Sequence, residues 1–409
     1  MQQAQKGKSI KNSNFWLGLS SIGLILTTSL ASATNVAMDN EGLINDVLRL
    51  NVRQISSKRS DYAEADGSLS DAGWKRMIQD SYNYCVEQEE QGAVLLKNEN
   101  NALPLAEKER NVTLFGRNSA HLCLRSGAGG AAPNEKLVVH LNDAFESNGF
   151  NYNKDVWNLY KGGGEPSVNE IPELGLSSYT PGIKASFDIF GDAAIVTFVR
   201  VGTENSDPKD GILDLTENEA NLLKMIKESG KFKKTIVLLN GAMPMSLDWA
   251  NKEEYGVDAV LWFGVPGYYS LSGVVHLLTG EANPSGHTPD TFSAHASNSA
   301  AYQNFGNIRF DGNAGVDRSS TYVSYNEGIY VGYKYYETRY EDCVLGKGNA
   351  NGKAGTYDGE DNWTYHREVA YPYGFGLSYT TFDWKIDSIT YNAEKDTFEL
   401  KATVKNTGK

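Results

Sequence analysis

The stretch richest in possible chemistry is Arg200-Val-Gly-Thr-Glu204-Asn-Ser-Asp207. It sets a guanidinium and two carboxylates close together, with Gly202 to flex the backbone between them. A carboxyl group partly sheltered on such a loop has a raised pKa, because burial disfavours its charged form. It can then act as a general acid near neutral pH. A lone loop glutamate is more commonly just solvated, so the residues alone leave both readings open. Other catalytic signatures are missing. The sequence holds no His-Glu-x-x-His, no Gly-x-Ser-x-Gly, no Walker loop and no Gly-x-Gly-x-x-Gly. Ser126-Gly-Ala-Gly-Gly130 is glycine-rich but wrongly spaced for a dinucleotide turn. An unrelated hydrolase using Ser119 or Ser126 lacks both the strained elbow and a spaced His/Asp partner. The 6 histidines are dispersed and show no metal-ligand spacing.

Four short apolar runs frame this loop: Val112 to Phe115, Ala193 to Val199, Thr235 to Leu239 and Ala259 to Trp262. Continuous rather than alternating runs mark strands covered on both faces. Between the second and third, Thr216 and Glu219 form a capping box, and Leu222, Leu223 and Ile226 make one helical face. Strand–helix alternation predicts an α/β layer fold with a mostly parallel sheet. Ligands of such sheets bind beyond the strands' carboxyl ends. That points to residues 116–130, 200–214, 240–249 and 264–272. Ahead of them, Trp74, Met77, Ile78, Tyr82, Cys85 and Val86 recur at helical spacing, predicting a helix over 68–91 that Gly92 ends. Trp249 and Trp262 are expected in the core. Tyr330, Tyr333, Tyr335 and Tyr336 either line a cleft or cover a sheet edge. Asn111-Val-Thr113 and Asn362-Trp-Thr364 are glycosylation sequons, the first opening a buried strand.

Residues 341–370, broken by five glycines, read as a loop or lid. Beyond Pro372 the period changes to two: Phe382 to Tyr391 and Thr397 to Asn406 form a hairpin that opens an all-β domain. A lone hairpin is marginal in water, so more of this domain is expected downstream. At the other end, Lys6, Lys8 and Lys11 precede the apolar run Phe15 to Leu26 and Ala31-Ser-Ala33. This is the pattern of an export signal over residues 1–34, cleaved or kept as an anchor, and it places the bulk of the chain outside the cytoplasm. Residues 35–84 then serve as linker and N-terminal helix.

The 409 residues carry 51 acidic and 38 basic side chains, a net charge of −13. No nucleic-acid partner is expected, since phosphate binding needs clustered Lys and Arg. Cys85, Cys123 and Cys343 are too few and too scattered for a disulfide scaffold or zinc site.

Several collinear segments resemble the second domain of glycoside hydrolase family 3. Residues 91–105 resemble the opening of its αβα sandwich, and Leu114-Phe-Gly-Arg-Asn118 with Ser126-Gly-Ala-Gly129 its first strand and glycine loop. Leu238-Leu-Asn-Gly-Ala-Met-Pro244, Pro266-Gly267 and Asn283-Pro-Ser-Gly286 resemble later sandwich turns. Tyr371 to Tyr379 resembles the passage into a fibronectin III-like domain. The resemblance implies a sandwich over 85–375 and an incomplete fibronectin III-like domain over 376–409. It implies a retaining glycosidase, of β-glucosidase or β-xylosidase type, with no cofactor and a glycoside substrate. Residues 202–207 resemble the family's Ser-Gly-Glu-Gly-x-Asp loop, with departures at Thr203, Asn205 and Pro208. Glu204 falls on the acid/base, Asp207 on the acidic residue after it, and Arg200 on a basic residue before it, both of the latter binding substrate or supporting the loop. The nucleophile's (β/α)₈ barrel has no room in residues 35–90, so the implied order puts it after residue 409. The competing reading is a non-catalytic carbohydrate-binding or scaffold protein that keeps only the sandwich.

Overall fold

The computed structural model describes residues 70–124, 138–162, 166–167, 170–203, 207–303, 306, 323–357, 359 and 361–408, with Ser20, Ser21, Ile22, Leu24, Ile25 and Thr27. Those last six are helical and fall largely in the apolar run of the expected export signal. The remainder of that signal, the arm that follows and the glycine-rich segment at Ser126 lie outside the described residues. Among the described residues no helix is long and apolar enough to cross a membrane. The chain divides into two units, residues 1–76 and 77–409.

Helix α1, Asp71–Gly92, lies close to the predicted span. Strands β1 (Val94–Asn98), β2 (Asn111–Phe115), β3 (Asn151–Tyr152), β4 (Ala193–Val199), β5 (Thr235–Asn240) and β6 (Ala259–Gly264) form one sheet in the order β1-β6-β5-β4-β2-β3. The four predicted runs are its parallel centre. β1 is an addition to the sequence reading. It runs antiparallel to β6 and is flagged only by the short apolar run Ala93 to Leu96. At its outer edge Leu377 donates its amide to the Leu95 carbonyl at 2.9 Å, a single bridge.

Alternate residues of the central strands feed two cores, as burial on both faces requires. On one face Val112, Leu114, Ile195, Ile236 and Leu238 pack with helices α2 (Leu141–Ser147) and, further along the chain, Leu271–Thr279. On the other, Phe115, Val196, Phe198, Val237 and Leu239 meet α3 (Lys154–Tyr160) and a helix at Glu217–Ser229. Numbered in chain order, α4 is Pro181–Ala185, α5 is Glu217–Ser229 and α6 is Leu271–Thr279. The sheet and its two helical layers make the αβα sandwich.

α1 packs across α6 at close range. A Cβ on Gly273 would sit 2.6 Å from the Val86 carbonyl oxygen, so only glycine lets the helices approach there. This contact encloses Glu89, whose carboxylate accepts from the Ser270 hydroxyl at 3.1 Å. Burial pushes its pKa from the ordinary 4.5 up to about 8. The folded state therefore keeps a proton that the unfolded chain releases between those two values. The group's contribution to stability is full below the lower value and is lost as pH rises through the upper one. Urea unfolding from about pH 5 to about pH 9 is expected to show the parent losing stability relative to Glu89→Gln across that window. Parallel pH profiles for the two proteins would refute this.

After β6 the chain continues through β7 (Phe292–Ser293), α7 (Ala300–Gln303), α8 (Tyr333–Val344), α9 (Tyr365–Glu368) and β8 (Val369–Tyr371). The segment read as an irregular lid is thus bounded by structure. α8 reaches Val344 before the glycines begin, and α9 and β8 follow them; β8 pairs with β7. The hairpin has its predicted strands, β9 (Phe382–Asn392) and β10 (Thr397–Asn406). Trp384 faces Val404, Ile386 Ala402, Ile389 Leu400 and Tyr391 Phe398. A register shift beside Lys401 keeps these pairs on one side although Ile386 and Ile389 are an odd number apart. That apolar side is exposed throughout, with Trp384 71% accessible.

Candidate functional site

The strand order identifies one crevice. From β2 the chain steps outward to β3, then returns to β4 on the other side of β2 and proceeds to β5 and β6. The order reverses between β2 and β4, the position where ligands of doubly wound sheets bind, beyond the carboxyl ends. The loops leaving that point are those after Phe115 and after Val199. The second carries Glu204.

Glu204, Asn205 and Ser206 lie outside the described residues. The structure defines the ends of their loop. Arg200 is buried, with its guanidinium turned into the fold. Its Nη1 donates to Glu219 Oε1 at 2.9 Å and to the Val199 carbonyl at 2.9 Å. Its Nη2 donates to Glu219 Oε2 at 2.8 Å and to the Asp214 carbonyl at 2.6 Å. One bidentate ion pair thus ties the loop's start to its end. Glu219 also completes the predicted capping box, accepting from the Thr216 amide while Thr216 Oγ1 accepts from the Glu219 amide. The capping pattern was legible in the sequence; that the same carboxylate binds Arg200 was not, because only the fold brings them together. Asp207 is exposed and forms no part of this pair.

The neighbouring loops are fastened too. Asn240, at the end of β5, is buried. Its Oδ1 accepts from the Cys123 amide at 2.7 Å, and its Nδ2 donates to the carbonyls of Cys123 at 3.1 Å and Gly264 at 2.7 Å. One side chain thereby joins the loops after β2, β5 and β6. Sequence reasoning saw only turn chemistry at Asn240-Gly241. Gly241 has φ of 134°, and a Cβ there would lie 2.1 Å from the Arg200 carbonyl oxygen, so this crossing of two loops needs glycine. Beneath them, Phe198, Leu239, Met245, Trp262 and Phe292 leave a gap of only about 10 Å³. The carboxyl ends of β4, β5 and β6 are therefore closely packed beneath these loops.

Glu173 was missed entirely. It is buried, and its two oxygens accept from the amides of Arg117 at 2.9 Å and Leu174 at 2.8 Å. Burial raises its pKa to about 7, those two amides oppose the rise, and Glu219 nearby adds to it. No spacing pattern marks it, since it lies in an irregular connection. Trp249 and Trp262 are structural. Trp249 is buried and donates to the Ser246 carbonyl, and Trp262 donates to the Gly241 carbonyl with its ring 5.2 Å from Phe292. Among the described residues no group of three His, Cys, Asp or Glu side chains could hold a metal ion.

Residues 93–333 match the glycosyl hydrolase family 3 C-terminal domain. The chain belongs to that family. A β-glucosidase of Ruminococcus albus is 28% identical over 334 residues, covering 78% of this chain and 30% of that protein. β-Glucosidase A of Butyrivibrio fibrisolvens is 26% identical over 365 residues, covering 78% of this chain and 39% of its own. Among solved structures, a β-glucosidase from Paenibacillus barengoltzii aligns with a TM-score of 0.60 at 27% identity, over 80% of this chain and 33% of that one. β-Glucosidase 3B from Thermotoga neapolitana aligns at 0.58 and 26%, over 82% and 42%. The chain spans less than half the length of each of these family 3 proteins. The six-stranded sandwich is its family 3 domain, and the loop at the sheet's reversal point belongs to that domain.

Proposed function

We propose that this chain is the sandwich part of a retaining glycoside hydrolase of β-glucosidase or β-xylosidase type, and that Glu204 is its acid/base. The observation that carries the reading is the loop's location. It leaves the sheet at the reversal of strand order, in a family 3 sandwich, with both ends pinned by the Arg200–Glu219 pair.

In this reading an Asp carboxylate on a (β/α)₈ barrel attacks the anomeric carbon. Glu204 gives its proton to the departing glycosidic oxygen, and the bond to that oxygen breaks. Glu204, now a carboxylate, takes a proton from water, whose oxygen displaces the enzyme carboxylate and releases the sugar with retained configuration. Arg200 supports the loop rather than touching sugar, because all four of its Nη hydrogens are spent on Glu219 and two carbonyls. Asp207, three residues after Glu204 and exposed, is the acidic residue that follows the acid/base on this loop. The barrel belongs to the same polypeptide, beyond residue 409. The uncovered face of the β9–β10 hairpin fits a fibronectin III-like domain whose second sheet lies there as well, since such ribbons are stable when one face is packed. The Lys-flanked apolar segment at the N-terminus exports the protein, leaving it secreted or anchored to the membrane.

The reaction class is tested on the complete protein by proton NMR of the product first formed from an aryl β-glucoside and an aryl β-xyloside. The β anomer is expected first. An α anomer first, or no turnover of either, would overturn the reading.

A further inference from the structure

We infer that the pocket between α8 and the loop after it binds a short neutral oligosaccharide. The cavity measures about 570 Å³, inside the range of about 300–1,000 Å³ typical of small-molecule sites. Tyr330 and Tyr335 line it together with Glu327, Arg339, Asp342 and Lys347. Two acids balance two bases, so neither a metal cation nor a polyanion is favoured. A neutral polyol is: its C–H faces lie against tyrosine rings, and its hydroxyls exchange hydrogen bonds with Asp342 and Lys347, which face each other across 3.9 Å.

The floor is already organised. Arg339 Nε donates to the Ala350 carbonyl at 2.7 Å, Nη1 to Tyr335 Oη at 2.6 Å and the Ala354 carbonyl at 2.8 Å, and Nη2 to the Gly352 carbonyl at 2.9 Å. Its guanidinium lies 4.8 Å from the centre of the Trp363 ring. These bonds use four of the five N–H groups, and they hold the glycine-rich loop in place before any ligand arrives. Little ordering entropy is left to lose on binding.

The pocket is also joined to the Glu204 loop. Ala300 lines it, and Tyr302 on the same short helix α7 donates its hydroxyl to Asp210 Oδ1 at 3.1 Å, a few residues after Asp207. Tyr330 supplies the decisive variant. It is 47% exposed, so truncating it removes ring surface without opening a core.

The choice of a saccharide rests on the glycosidase reading; the pocket does not. The test is calorimetric titration of the 409-residue chain with cellotriose and with xylotriose, with circular dichroism confirming that each variant is folded. At least one trisaccharide is expected to bind, about tenfold more weakly to Tyr330→Ala and nearly as well to Tyr330→Phe. Glu204→Gln is expected to bind as the parent does, which separates this site from the acid/base. No binding of either sugar, or equal binding by parent and Tyr330→Ala, overturns the inference, whatever the complete protein hydrolyses. Turnover lost through Glu204 while trisaccharide binding persists supports it; turnover unaffected by Glu204→Gln sinks only the acid/base assignment.

Discussion

Glu204→Gln in the complete protein is expected to lower kcat by about 10²–10⁴-fold on glycosides with poor leaving groups. Glutamine keeps the shape of the side chain and removes the transferable proton, so bond cleavage loses its acid. An activated aryl glycoside needs no such proton, and its first step should be nearly unaffected. Its second step should stall, because no carboxylate remains to activate water. Added azide, which needs no base, should restore turnover and yield a β-glycosyl azide. This pairing of a leaving-group dependence with azide rescue belongs to an acid/base and to no merely structural glutamate. Unchanged kcat on an alkyl glycoside, or a loss that azide does not relieve, would transfer the role to another residue.

The second large effect is on stability. Arg200→Met is expected to cost about 3–5 kcal/mol, the usual consequence of leaving one member of a buried ion pair without its partner. Glu219 is fully enclosed, and its carboxylate would retain only Thr216. The double variant Arg200→Met, Glu219→Leu should recover much of the loss, because replacing both charges with apolar groups removes the unpaired charge. Some deficit should persist, since Leu cannot close the capping box on α5. Urea denaturation of the parent and the two variants checks the order: parent, then double, then Arg200→Met. If the single variant were as stable as the parent, the pair would not be what closes the loop. The same change should reduce turnover in the complete protein at temperatures where it is still folded, because the loop's two ends would no longer be held together.

Two other buried carboxyls act in the opposite sense to this pair. Glu89 and Glu173 have raised pKa values, about 8 and about 7, and so weaken the fold as pH climbs through neutrality. Both accept hydrogen bonds at helix or turn boundaries, and burial dominates their titration, the Arg117 charge offsetting the rise at Glu173 only in part.

What the sequence determined by itself was the central sheet and its order of events. Continuous runs such as Ala193 to Val199 can be stable only when covered on both faces, and Thr216 with Glu219 states where α5 begins. The same local logic placed the hairpin, whose alternation over β9 and β10 needs no distant partner to be read. The family was legible too, because its motifs are short, collinear and local. The tertiary structure alone decided what joins those pieces. β1 is a strand only because β6 stands beside it, and its run of apolar residues is too brief to specify a partner. Asn240 looked like half of a turn and is the bond between three loops. Glu219 looked like a cap and is also the counter-ion of Arg200, 19 residues away in the chain. Glu173 carried no pattern at all. These roles depend on distances between residues far apart in sequence, and such distances are set by packing, which no local periodicity encodes.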